Sequence, residues 1–139
     1  MTRGQFVSWM WTMFGRPSGS PPHGYTDVPS ATVSAALAWA KAQGIVTAPG
    51  TQFFPRRTIN RAQMAFWLWA AAGRPDDAPD AGFGDVPDDA WYASAVNWAK
   101  DQAVVVGFPG DLYRPTANAT RGQAANMFRA TAASIHAAG

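Results

Sequence analysis

The chain repeats itself, and no other feature of the sequence restricts its fold as strongly. Arg3-Gly-Gln-Phe-Val-Ser-Trp-Met-Trp-Thr-Met-Phe-Gly-Arg-Pro17 aligns without a gap on Arg61-Ala-Gln-Met-Ala-Phe-Trp-Leu-Trp-Ala-Ala-Ala-Gly-Arg-Pro75. A looser third copy begins at Arg121-Gly-Gln123 and runs through Met127 and Phe128. The stretches between also correspond: Tyr25-Thr-Asp-Val-Pro29 with Phe83-Gly-Asp-Val-Pro87, and Ala38-Trp-Ala-Lys-Ala-Gln43 with Asn97-Trp-Ala-Lys-Asp-Gln102. A fixed period of this length means one supersecondary unit used several times.

Each period reads as two helices. The first is predicted over about 32–43 and again over 90–102, with Val33, Leu37 and Ala40 on one face. A Gly/Pro turn follows, then an extended aromatic-Pro segment, Phe53-Phe-Pro55 or Leu112-Tyr-Arg-Pro115. The second helix opens at Thr2, Asn60 and Thr120, and Gly15-Arg-Pro17 and Gly73-Arg-Pro75 supply its stop signals. The expected fold class is therefore all-α, with short extended segments in the loops. The expected organisation is one domain over 1–139, made of a half repeat at 1–17 and full repeats at 25–75 and 83–135.

Composition removes most chemistry. There is no Cys, so disulfides, thiol catalysis and Cys-ligated metals are excluded. The only histidines are His23, in a Pro/Gly-rich loop, and His136, near the C-terminus, which leaves no material for a His-based metal site or triad. The nine acidic residues are all Asp, and six of them (Asp76, Asp77, Asp80, Asp85, Asp88 and Asp89) crowd one segment without the alternating spacing of a calcium loop. No cofactor and no metal is expected. A net charge of +2 with scattered cations does not make the continuous basic stripe of a nucleic-acid binder. No apolar run reaches the ~20 residues of a membrane span. The apolar stretch from Phe6 to Phe14 has the look of a short signal peptide, but its near-copy at 61–75 cannot be one, so no signal is assigned.

The openings of the second helices carry the most suggestive pattern. Thr2-x-x-Gln5, Asn60-x-x-Gln63 and Thr120-x-x-Gln123 fit a capping box with Gln in place of Glu. That explains the Thr, Asn and Gln but not the Arg that follows each cap: Arg3, Arg61 and Arg121. A cation in the first turn opposes the helix macrodipole at a cost of a few tenths of a kcal/mol, so something offsets it in all three copies. Two readings stand side by side. Either the guanidinium and helix N-terminus receive a carboxylate ligand, or the Arg pairs structurally with Asp27 or Asp85. Arg57 and Arg114 are candidate auxiliary cations. Among the seven tryptophans, Trp9, Trp39, Trp67 and Trp98 read as core, whereas Trp91, before a helix start, suits stacking on a sugar face as well as packing.

Taken in order, Phe83-Gly-Asp85-Val86-Pro87, Trp91-Tyr92, Ala95-Val96, Trp98-Ala99, Gly107, Tyr113-Arg-Pro115 and Ala119-Thr120-Arg121-Gly-Gln123 resemble the S-layer homology family. The middle unit is similar through Tyr25-Thr-Asp27-Val28, Gly44-Ile45, Phe54-Pro55 and Ile59-Asn60-Arg61-Ala62-Gln63. It departs from the pattern in having Thr32-Val33 where Trp91-Tyr92 sits, and the first unit lacks its first helix and loop. The resemblance implies a pseudo-threefold helical bundle and a non-catalytic module that anchors its carrier to the bacterial envelope. It also implies grooves that bind an anionic secondary cell-wall glycan through the motif arginines. With no signal seen, the carrier is either an exported surface protein of which this chain is part, or a bacteriophage capsid or tail decoration protein using the fold for assembly or host-wall adhesion. A cell-wall hydrolase is the weakest alternative, since no catalytic constellation is visible.

One expectation concerns the opening helix. Phe6, Trp9, Met10, Trp11 and Phe14 lie in a segment with no first helix before it, so this end is expected to form an interface with a second copy or a structural protein partner.

Overall fold

The computed structural model describes the backbone of residues 1–138 and the side chains of residues 1–135, so the side chain of His136 lies outside the described residues. Among the described residues there are five helices: α1 (Arg3–Met13), α2 (Ala31–Ala42), α3 (Arg61–Ala71), α4 (Ala93–Asp101) and α5 (Arg121–Ala138). Among the described residues the extended segments form isolated bridges, Thr2 with Thr58, Asn60 with Asn118 and Phe108 with Leu112. The fold is all-α, as the periodicity implied.

The chain divides into two compact units, Met1–Ile59 and Asn60–Gly139. This division is offset by half a period from the repeat read in the sequence. Each unit starts with a second helix and continues through the first helix and the aromatic-Pro loop that follow it. The cause is in the hydrogen bonds. A helix leaves its first amides without intrahelical partners, and here the downstream loop supplies them. In the first unit Arg3 N–H donates to the Arg57 carbonyl at 2.8 Å and Gly4 N–H to that of Pro55 at 2.9 Å. In the second, Arg61 N–H donates to Ala117 at 3.0 Å and Ala62 N–H to Pro115 at 2.9 Å. A β-carbon at Gly4 would sit 3.2 Å from Pro55 and 3.4 Å from Val33, a tight fit, and Ala62 makes the corresponding approach in the second unit.

The same offset corrects the expectation about α1. The helix packs on the one that follows it, α2, and Phe6, Val7 and Met10 are fully buried in the first unit with Leu37, Ile45 and Phe53. Burial of each large side chain contributes ~1.5–3 kcal/mol. Phe6 and Met10 are thus core, not free surface. Trp11 is tied to its own helix end, with its indole N–H donating to the Pro17 carbonyl at 2.9 Å, and Phe14 packs against Trp39 at 5.4 Å between ring centres. Trp9, Trp11 and Phe14 stay half-buried. In the second unit, α3 packs on α4, and Trp69 repeats the Trp11 bond by donating to Pro75 at 2.7 Å.

The predicted ends of the second helices hold. Thr2 and Gln5 close a full capping box, Thr120 and Gln123 exchange the same two bonds, and Asn60 caps the Gln63 amide. Gly15 and Gly73 follow their helices at φ 83° and 95°, and the next amides, of Arg16 and Arg74, reach back to Trp11 and Trp69. The α4 prediction began three residues early. Ala90 to Tyr92 form a turn instead, and Tyr92 offers no side-chain cap.

Candidate functional site

The aromatic-Pro loop is built around an aspartate. In the first unit the two carboxylate oxygens of Asp27 accept the backbone N–H groups of Phe53 at 2.9 Å and Phe54 at 2.8 Å. In the second, Asp85 accepts those of Tyr113 and Arg114, both at 2.8 Å. The clamped residues are left-handed although neither is glycine, Phe54 at φ 61° and Arg114 at φ 60°. A conformation that is costly for an L-residue is held by two charge-assisted bonds. Burial pushes the Asp27 carboxyl up, but the Phe53 and Phe54 amides outweigh it and hold the group below the usual carboxylate range.

The motif arginine closes the loop from the other side. Arg61 is only 5% exposed, and its Nε donates to the Tyr113 carbonyl at 2.7 Å. The guanidinium lies 4.4 Å from the centre of the Tyr113 ring and 4.8 Å from that of Phe108. Tyr113 returns the bond, its hydroxyl donating to the Arg61 carbonyl at 2.9 Å, and burial pushes that hydroxyl well above the ordinary tyrosine range. Arg3 repeats the arrangement, with Nε 3.1 Å from the Phe53 carbonyl and the guanidinium 4.6 Å from the Phe53 ring centre. Burial lowers the pKa of both arginines; after it, Arg57 lowers that of Arg3 further.

These bonds qualify both readings of the arginines, and Asp27 and Asp85 still favour the charged forms of Arg3 and Arg61 against the effect of burial. Asp27 and Asp85 spend their oxygens on loop amides, and the Arg Nε goes to a backbone carbonyl. The helix N-termini of α1 and α3 are closed by loop carbonyls and caps, so they offer no open ring of amides. Arg121 differs from its two counterparts and is exposed at the start of α5.

Arg61 nonetheless reaches a surface. It lines a cleft of about 220 Å³ in the second unit with Gly107, Phe108, Gln123 and Asn126, and no acidic residue lines that cleft. Arg114, exposed, stacks on Phe108 at 4.2 Å at its edge. In the first unit, Asp27, Pro29, Phe54, Pro55, Arg56 and Arg57 line a cleft of about 330 Å³. Arg57 is exposed and stacks 4.1 Å over Phe54. Trp91 is 58% exposed and is braced edge-on by Tyr92 at 5.0 Å and Phe66 at 5.4 Å. Among the described residues there is no group of His, Asp or Glu fit to hold a metal ion, and no helix is long and apolar enough to cross a membrane.

The aspartate clamp and the Tyr113 hydroxyl were missed by sequence reasoning. The signal was available: Asp-Val precedes aromatic-x-Pro by a nearly constant interval in both full repeats.

No individually curated protein matches the sequence. A profile of the S-layer homology domain matches residues 24–65 and 82–125, more than half of the chain. The two matched segments hold both aspartate clamps, both aromatic-Pro loops and the openings of α3 and α5, so the residues that build the loops are the ones the profile recognises. The chain belongs to the S-layer homology domain family, a family of cell-wall-binding modules.

Proposed function

We propose that this chain is a non-catalytic module that binds an anionic cell-wall glycan at the Arg61 cleft and so holds its carrier on the bacterial envelope. The observation that carries the reading is the state of Arg61. Its guanidinium is buried, its Nε is bonded to a neutral carbonyl, and it faces a cleft whose other polar side chains are the amides of Gln123 and Asn126. A cation so placed suits an oxyanion, because the fork retains two NH₂ groups for paired donation. The amides suit sugar hydroxyls. Arg114 and Phe108 at the rim add a second cation and an aromatic edge, while Trp91 and Arg121 offer accessory contacts elsewhere on the second unit.

The test is retention on purified host walls, before and after extraction of the wall glycan. Asn126→Ala with Arg114→Gln is expected to weaken retention while leaving the thermal midpoint in place, since neither side chain is buried. Undiminished binding by the folded double variant removes the Arg61 cleft as the glycan site. Retention that ignores the glycan, or none at all, favours an assembly role such as virion decoration.

A further inference from the structure

We infer that the first unit carries a second oxyanion subsite, formed by Arg56 and Arg57 beside Phe54, that takes a carboxylate or phosphate group of the wall polymer; this rests on the glycan reading above.

The two units provide an internal control. Pro55 corresponds to Pro115, so Arg56 and Arg57 correspond to Thr116 and Ala117. The loop backbone is the same in both. Arg57 N–H donates to the Phe54 carbonyl and Ala117 N–H to that of Arg114, each at 3.2 Å. The Arg57 and Ala117 carbonyls both accept from the first residue of the helix they close. Threonine and alanine support this loop fully, so the fold does not require two adjacent arginines. Like charges in neighbouring positions repel, and keeping them without a structural role points to an anion that engages both.

The surroundings agree. Among the described residues Arg56 has no hydrogen-bond or ion-pair partner, and the Arg57 side chain has only the Phe54 ring. Arg56 lines two clefts at once, the one of about 330 Å³ and a neighbouring one of about 280 Å³ lined also by Thr2, Gln5 and Ser30. The single acidic residue on these clefts is Asp27, and both its oxygens are held by loop amides. Two guanidinium groups against one carboxylate leave the local charge positive, and Arg57 lowers the pKa of Arg3. The left-handed Phe54 turns its ring outward, 39% exposed, giving Arg57 a flat support. Guanidinium forks recognise planar carboxylates and tetrahedral phosphates alike through paired N–H donors.

The full chain, labelled at the arginine side chains, is titrated with glucuronate and with inorganic phosphate, with chloride at matched ionic strength as the control. Saturable movement of the Arg56 and Arg57 Nε–H resonances by at least one probe, beyond that seen with chloride, is the expected result. A response to phosphate alone assigns a phosphate-bearing polymer, and a response to glucuronate alone a carboxylate-bearing one. Movement no larger than with chloride overturns the subsite. Arg56→Thr with Arg57→Ala, which installs the residues of the second unit, is expected to weaken retention on purified walls about tenfold. Wall binding unchanged in that variant overturns the subsite and leaves the Arg61 reading intact. Walls that fail to retain the unaltered chain, while the resonances still saturate, overturn the glycan reading and leave the oxyanion subsite standing.

Discussion

Replacing Asp85 by alanine tests whether the aspartate clamp sets the loop. Two bonds are lost, to the amides of Tyr113 and Arg114. The Tyr113 amide is part-buried, and a charge-assisted bond there is worth about 1.5–3 kcal/mol. The Arg114 amide is exposed and regains water, so its loss is worth only about 0.5 kcal/mol. Arg114 is also released from its left-handed conformation, which returns about 1 kcal/mol of strain once the loop relaxes. The net expectation is a destabilisation of about 1–2.5 kcal/mol. Heat or urea denaturation reads the total, and hydrogen exchange reads the place: the Tyr113 and Arg114 amides should exchange faster while those in the middle of α4 keep their protection. Asp85→Asn, which keeps one acceptor, should fall between. A loss below about 0.5 kcal/mol, or exchange that rises evenly across the second unit, would refute the clamp.

The motif arginines should separate by burial. Arg61→Ala is expected to cost about 2–4 kcal/mol, from its bond to the Tyr113 carbonyl and its contacts with two rings, while Arg121→Ala leaves the thermal midpoint within about 0.5 kcal/mol of the parent. Equal effects in denaturant titrations would show that these two motif positions are equivalent after all. His23 should make the first unit acid-sensitive. Its Nδ1 accepts the Tyr25 amide at 2.8 Å, and Nε2 sits 2.8 Å from the Ser34 hydroxyl, so the neutral ring suits the site. Burial first, then Lys41, lowers its pKa, which means the unfolded chain binds the proton more readily. Stability is then complete above the ordinary histidine range and declines as pH falls below it. The decline should vanish in His23→Ala when thermal midpoints are compared from pH 7.5 to pH 5; persistence of the slope would assign it to other groups.

What the sequence revealed and concealed follows from the range of the interactions involved. Helix type, caps and stops depend on residues within a few positions, and Thr2, Asn60, Gly15 and Gly73 all announced themselves. The family resemblance was legible because the repeat displays its motifs in order. The role of the arginines was not, because the partner of Arg61 is a carbonyl, and carbonyls carry no letter in a sequence. The role of Asp85 stayed hidden for the same reason, its partners being amides of residues whose side chains point elsewhere. The fate of Phe6 and Met10 was misjudged because a period can be cut at any point. The sequence repeat was counted from the first helix, while the packing counts from the second. Once α1 is paired with the helix after it, no vacancy remains on its Phe6 face.

That half-period offset has a consequence for how the protein is made. Arg3 is fastened by a carbonyl 50 residues further along, and Arg61 by one 52 residues further. At roughly 5–20 residues per second of synthesis, each opening helix waits several seconds for the segment that closes it. During that interval Phe6, Val7 and Met10 have left the ribosome's catalytic centre before Phe53 has been joined to the chain, and Met64 and Leu68 stand in the same relation to Tyr113. A nascent chain of this kind grows with its newest apolar helix always one step ahead of its cover, which makes the growing end, and not the finished protein, the stage at which a chaperone has something to hold.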